Sequence, residues 1–121
     1  MKLLIFIYSL SSGGAERVTA SLSNYWARRG WRVTVVTLAP PSLDFYALHS
    51  SVRRITLELA GDSRNPWSAA VNNLRRVLAL REVLVKLQPD VALGMMTSAN
   101  VLLALAATGM RSTVCIGSER I

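Results

Sequence analysis

Two adjacent glycines, Gly13 and Gly14, stand at the one place in this sequence where residue type and spacing point to ligand chemistry. Before them Lys2 to Tyr8 (KLLIFIY) is a short apolar run of large and β-branched residues, which reads as a buried strand. Ser9 to Arg17 (SLSSGGAER) breaks that run. Apolar residues then recur at Ala15, Val18, Leu22, Tyr25 and Trp26, the three-and-four spacing of one helix face. Gly30 stands where a helix C′ residue is expected, with Arg28 and Arg29 in the last turn. Strand, glycine turn and helix together leave the first-turn N–H groups uncovered, and a helix start of this kind carries about half a positive charge. A phosphate or carboxylate of a substrate is the expected ligand. The competing reading is a tight strand–helix turn that binds nothing.

The elements that would position this turn follow in order. Trp31 to Leu38 is a second β-branched strand, ended by Ala39-Pro-Pro-Ser42. Residues 39 to 52 read as a loop with a helical turn near Phe45 to Leu48, and Val52 to Leu59 as a third strand at a sheet edge. Asn65 and Pro66 suit the N-cap and first position of a long helix to Leu87. Its expected apolar face is Trp67, Ala70, Val71, Leu74, Val77, Leu78, Leu84 and Leu87, with Arg75, Arg76, Glu82 and Lys86 opposite. Val91 to Met96 reads as a fourth strand buried on both faces. Thr97 and Ser98 are N-cap candidates for a short helix to Ala107, and Thr113 to Gly117 is a fifth strand.

Alternation of continuous apolar strands with helices implies a single α/β domain over residues 1–121, a Rossmann-like three-layer α/β/α fold with a parallel sheet of about five strands. Ligands of such sheets lie outside the carboxyl ends of the strands, at the switch in strand order. Ser9 to Arg17, Met96 to Asn100 and Gly117 to Ile121 should reach that edge. The cleft residues expected from this topology are Ser12, Gly13, Gly14, Arg17, Thr97, Ser98, Asn100 and Arg120. No catalytic residue is assigned. Glu119 is the one acidic candidate, because it follows a buried strand and should face the same cleft as the glycines.

Several chemistries are excluded or disfavoured. The turn is not G-x-G-x-x-G and the second strand ends without an acidic residue, so the dinucleotide fingerprint fails; no P-loop sequence is present. The acids Glu16, Asp44, Glu58, Asp62, Glu82, Asp90 and Glu119 are scattered and there is one histidine, so no metal cluster can be drawn. Glu16 complements the helix dipole, and Asp90 after Pro89 is a turn residue. Cys115 lies in an apolar stretch and is expected to be a buried thiol in a reducing compartment; His49 is in a loop and no partner for catalysis. The formal net charge of +7 admits nucleic acid, an anionic membrane or a phosphorylated substrate. The arginines come as separate pairs, without a basic tail, which disfavours nucleic acid. No stretch approaches the ~18–20 apolar residues of a membrane span, so membrane association would be peripheral. The start, Lys2 to Tyr8, reads as a strand rather than a signal peptide.

The stretch Ser9 to Arg17 resembles the N-terminal domain of the family 4 glycosyltransferases, enzymes of the GT-B fold with two Rossmann-like domains facing across a cleft. Ala27 to Thr37, Leu87 to Leu93 and Ile116 to Arg120 extend the resemblance over nearly the whole chain. It implies a domain that binds the acceptor, with Gly13 and Gly14 beside the diphosphate of the sugar donor. It also implies retaining transfer of a hexose from a nucleotide-diphosphate sugar, with no bound metal and no cofactor. The nearest members act on polyprenyl-diphosphate-linked or lipopolysaccharide acceptors, which implies a bacterial, cytoplasmic enzyme peripheral to the membrane, with Arg75, Arg76 and Lys86 suited to an anionic lipid surface. Where many members place a histidine near the end of the fifth strand, this chain has Glu119-Arg120. The nucleotide-sugar domain is missing, so the chain is expected to be an N-terminal piece, inactive alone, with that second domain as its partner. The alternative is a stand-alone, non-enzymatic module that binds a phosphorylated ligand or a partner protein.

Overall fold

The computed structural model describes residues 1–8, 14–39, 48–57, 66–110 and 112–118, with backbone alone at 69, 97, 98 and 118. Five strands, β1 (Lys2–Ile7), β2 (Arg32–Thr37), β3 (Arg53–Thr56), β4 (Val91–Met95) and β5 (Val114–Ser118), form one sheet. Among the described residues there are three helices, α1 (Gly14–Arg28), α2 (Pro66–Leu87) and α3 (Thr97–Ala106). The strand order is β3-β2-β1-β4-β5 and every pairing is parallel. The expected Rossmann-like α/β/α architecture is therefore present, with β3 at an edge. The expected helical turn near Phe45 to Leu48, the Asn65 N-cap and the end of the third strand at Glu58 and Leu59 fall wholly or partly outside the described residues.

Reversal of strand order after β1 puts the helices on opposite faces. One core joins Leu4, Phe6, Val36 and Leu38 of the sheet to Leu80 and Leu84 of α2 and Leu102 and Leu103 of α3. The other joins Leu3, Ile5, Val33 and Val35 to Ala15 and Ala27 of α1. Residues alternate between these cores along β1 and β2, as the two-residue strand period requires.

α1 corrects the expected apolar face. Its buried residues are Ala15, Thr19, Ala20, Ser23 and Ala27, while Val18, Leu22 and Trp26 are half-buried flanks. Small side chains let the helix lie close on strands already filled by leucine, isoleucine and valine. The two hydroxyls cost little there, because Thr19 Oγ1 donates to Ala15 O (2.9 Å) and Ser23 Oγ to Thr19 O (2.7 Å). Tyr25, expected inside, is exposed; it packs edge-on to Trp26 and under the Arg29 guanidinium at 4.7 Å. The helix ends as expected at Gly30 (φ 87°). Trp31 N–H donates to Trp26 O and Gly30 N–H to Ala27 O, both 3.1 Å, a Schellman closure whose apolar contact is the Trp26–Trp31 stack at 4.0 Å.

α2 has the expected bounds but not the expected face. Leu80 and Leu84 are fully buried and Val77, Val83 and Leu87 pack beside them, whereas Trp67, Ala70, Leu74 and Leu78 are exposed. The helix is longer than the sheet it covers, so only its C-terminal half meets strands. Arg81 crosses to α3, where Nη1 donates to Ala106 O (2.8 Å) and Thr108 O (2.7 Å) and satisfies carbonyls of that helix end. Asp90 joins three strands: its Oδ2 accepts from Lys2 N–H, its N–H donates to Lys2 O, and its carbonyl accepts from Val114 N–H. β4 is not buried on both faces as expected. Val91 and Leu93 are half-buried and Val114 and Ile116 of β5 are exposed, because no described helix covers the α1 side of these two strands.

Replacing Leu84 by Ala should destabilise the fold by about 2–5 kcal/mol in denaturant unfolding. Leu78→Ala, one and a half turns away on the same helix, should change stability by less than about 0.5 kcal/mol.

Candidate functional site

The switch in strand order falls between β1 and β4, and the helices that follow those two strands begin at its carboxyl edge. α1 starts at Gly14 and carries Glu16, half-exposed, in its first turn. α3 starts at Thr97, so Thr97 and Ser98 are its first helical residues and not its caps. The N-cap is Met96, whose side chain makes no capping bond. Its backbone has φ 76° and ψ 160°, a region that L-residues with a side chain rarely occupy. That conformation turns the chain from β4 into α3 within one residue and leaves first-turn N–H groups of α3 without a side-chain cap. Methionine gives no sequence signal for a positive φ, which is why this residue is not legible beforehand.

Arg17 is exposed and shares with Gly14, Val18, Ser21 and Leu22 an open groove of about 430 Å³ along α1. Asn100 lies on the opposite face of the sheet, pressed on Gly94 of β4 and Gly117 of β5. A Cβ at Gly94 would fall on Asn100 Oδ1 and 3.1 Å from its Cα; one at Gly117 would meet Asn100 Cγ and Nδ2 at 3.1 Å. Neither glycine has a positive φ, so lack of a side chain is what the fold requires there. Tyr8, at the carboxyl end of β1, was not singled out by sequence. It is exposed, and its carbonyl accepts N–H bonds from Leu38 (3.0 Å) and Ala39 (2.9 Å), which fixes the ends of β1 and β2 together. Ser12, Gly13, Glu119 and Arg120 lie outside the described residues.

Two sequence expectations about reactive side chains resolve differently. Cys115 is exposed, not buried, because β5 is an edge strand with its outer side open. Partial desolvation still pushes its thiol above the ordinary range, opposite to what a catalytic cysteine needs. His49 has a local structural role: its N–H donates to Asn24 Oδ1 (2.6 Å) and its Nδ1 lies 2.7 Å from Ser51 Oγ. Among the described residues no group of three His, Cys, Asp or Glu could hold a metal ion, and no helix is long and apolar enough to cross a membrane.

An all-parallel sheet with two helix N-termini at its switch point defines a Rossmann-like domain. The model of Glycosyltransferase Family 4 matches residues 12–116, and the chain belongs to that family. No curated protein matches the sequence. Solved structures with the same fold include a glycosyltransferase from Rickettsia africae ESF-5 (19% identity, TM-score 0.65, covering 96% of this chain and 28% of that one). A sucrose-phosphate synthase from Thermosynechococcus elongatus superposes with TM-score 0.74 at 12% identity, over 99% of this chain and 33% of that one. A ugt transferase from Siraitia grosvenorii, in complex with UDP, gives 0.60 at 16% identity, over 95% and 27%. The chain thus spans about a third or less of the length of these neighbours.

Gly94→Ala should lower stability by about 1–3 kcal/mol, the cost of overpacking, with the midpoint of thermal unfolding as the measure. At pH 8 Cys115 should react with iodoacetamide more slowly than free cysteine, and the rate should keep rising above the ordinary thiol pKa, because a raised pKa withholds the thiolate until higher pH.

Proposed function

We propose that this chain is the acceptor-side domain of a glycosyltransferase that moves a hexose from a nucleotide-diphosphate sugar to a lipid-linked glycan or lipopolysaccharide acceptor. The observation that carries this reading is the convergence of two helix starts, at Gly14 and Thr97, on the switch point of a domain that belongs to family 4. Each such start favours negative charge by about 0.3–1 kcal/mol when exposed, and more when water is excluded. In the proposed reaction the donor diphosphate lies against the α1 start, where N–H groups stabilise the charge that develops as the sugar leaves. Ser12, Gly13, Gly14, Arg17, Thr97, Ser98, Asn100 and Arg120 line the cleft in this reading, and Glu119 is the candidate for direct chemistry. Transfer retains the anomeric configuration and uses neither metal nor cofactor.

The donor itself would be held by a second domain. The chain's length relative to its structural neighbours supports that part. An acceptor on the inner face of a membrane would place the enzyme peripherally there, in a bacterial cytoplasm, with Arg75, Arg76 and Lys86 toward anionic lipid at about 1 kcal/mol per cation close to the surface.

The test is transfer by the whole protein, with radiolabelled nucleotide-diphosphate hexoses and a lipid extract as acceptor. Gly14→Glu, which sets a carboxylate against the diphosphate, should reduce kcat/KM by about 10²–10³-fold, the scale of losing an oxyanion donor. Excess EDTA should leave the rate unchanged. No transfer from any nucleotide sugar, or full activity in the Gly14→Glu protein, would overturn the proposal.

A further inference from the structure

At the opposite, amino edge of the sheet a cavity of about 580 Å³ is lined by Lys2, Arg32, Arg53 and Lys86, together with Trp31 and Leu87. Its place is set by register. Lys2 is the partner of Arg32 and Thr34 the partner of Arg53, so three strands begin with a cation within two residues of one another. By alternation Lys2 goes with Leu4 and Phe6, Arg32 with Val36, and Arg53 with Ile55, all on the face that α2 covers. Lys86, in the last turn of α2, closes the group from above.

Ordinary structural needs do not account for this arrangement. Neighbouring strands lie about 4.8 Å apart, and like charges directly opposite one another, as Lys2 and Arg32 are, destabilise a sheet. The helix C-termini at this edge favour cations, but Arg28 and Lys86 already occupy the last turns of α1 and α2. Among the described residues the nearby acids are Asp90, whose carboxylate accepts the Lys2 backbone N–H at 2.8 Å, and Glu82, on the adjoining groove beside Arg53. Neither forms an ion pair with the four cations among the described residues.

We propose that this cavity is a second anion site, for a phosphoryl group attached to an apolar body. Two guanidinium forks suit phosphate oxygens, the ammonium groups add charge, and the size is that of a small-molecule pocket. The Trp31 ring and Leu87 supply an apolar wall next to the charge. A soluble organic diphosphate and a lipid headgroup share this chemistry. The site lies at the edge of the sheet away from Gly14 and does not depend on the transfer reaction.

The whole protein is titrated at low ionic strength with inorganic pyrophosphate while the tryptophan indole N–H resonances are followed. Trp31 lines the cavity, and exposed Trp67 is an internal control. A saturable shift at Trp31 but not Trp67 is expected. Arg32→Gln combined with Arg53→Gln should weaken it about tenfold or more, since both guanidinium forks on the phosphate are lost. Arg54→Gln, at the next position of β3 and so on the opposite face from Arg53, removes a cation outside the cavity and should change affinity less than about twofold. In a second arm the proteins are sedimented with vesicles of phosphatidylglycerol and phosphatidylcholine. Sedimentation lost specifically in the Arg32/Arg53 variant assigns the phosphate to lipid; a Trp31 response with unchanged sedimentation assigns it to a soluble ligand. Absence of both a Trp31 shift and a variant-specific sedimentation loss, or equal weakening by the Arg32/Arg53 and Arg54 variants, would overturn the site. Unfolding midpoints of both variants near that of the unaltered protein show that the comparison is between folded proteins.

Discussion

Everything in this domain hangs on β1 pairing on both sides. β2 runs along one edge of it in register from Lys2 to Ile7, and β4 along the other from Leu3 to Phe6. Leu4 and Ile5 are completely buried, one in each core. A parallel strand cannot return by a hairpin, so each neighbour of β1 must arrive through a crossover, and the two crossovers leave in opposite directions. With crossovers of one hand, this puts α1, between β1 and β2, on one face and α2 and α3, which lead into and out of β4, on the other, and it opens the crevice between the starts of α1 and α3. Burial of β1 and placement of the candidate cleft are one structural event.

The same geometry makes the two edges of the sheet electrostatically different. Helices after parallel strands start at the carboxyl edge and finish at the amino edge, so their dipoles point one way through the molecule. At the carboxyl edge the positive ends of α1 and α3 meet at Gly14 and Thr97. At the amino edge negative ends are joined by basic residues that exceed what helix ends need, with Asp90 tying Lys2 to β4 and β5. In the proposed reading one edge would attract anions through backbone, the other through side chains. A site built from backbone depends on turn geometry, whereas one built from arginine depends on register.

Much of the architecture was legible along the chain because it is written in local terms. Strand runs of Val, Ile and Leu, the helix stop at Gly30 and the start at Pro66 each rest on chemistry confined to a few neighbours, and the bounds of α2 came out as expected. The resemblance carried by Gly13 to Arg17 and the later strands agreed with the family match over residues 12–116. Burial of helix faces was less legible. Periodicity favoured Tyr25 over Ser23 and Trp67 over Leu80, since a hydrophobic pattern records what could be buried and not how far the sheet extends beneath it. Of the candidate cleft residues, Gly14, Arg17 and Asn100 are described with their surroundings and Thr97 and Ser98 by backbone, while Ser12, Gly13, Glu119 and Arg120 lie outside the described residues.

By itself, then, the sequence determined the kind of elements, their order and the parallel α/β class, because strand and helix periods and glycine or proline punctuation are properties of short segments. Only tertiary structure decided that Met96 takes a left-handed φ, that Gly94 and Gly117 are glycines to admit Asn100, and that Lys2, Arg32 and Arg53 meet at one edge. Those facts depend on register and on the close approach of segments distant in the chain, which no local pattern encodes.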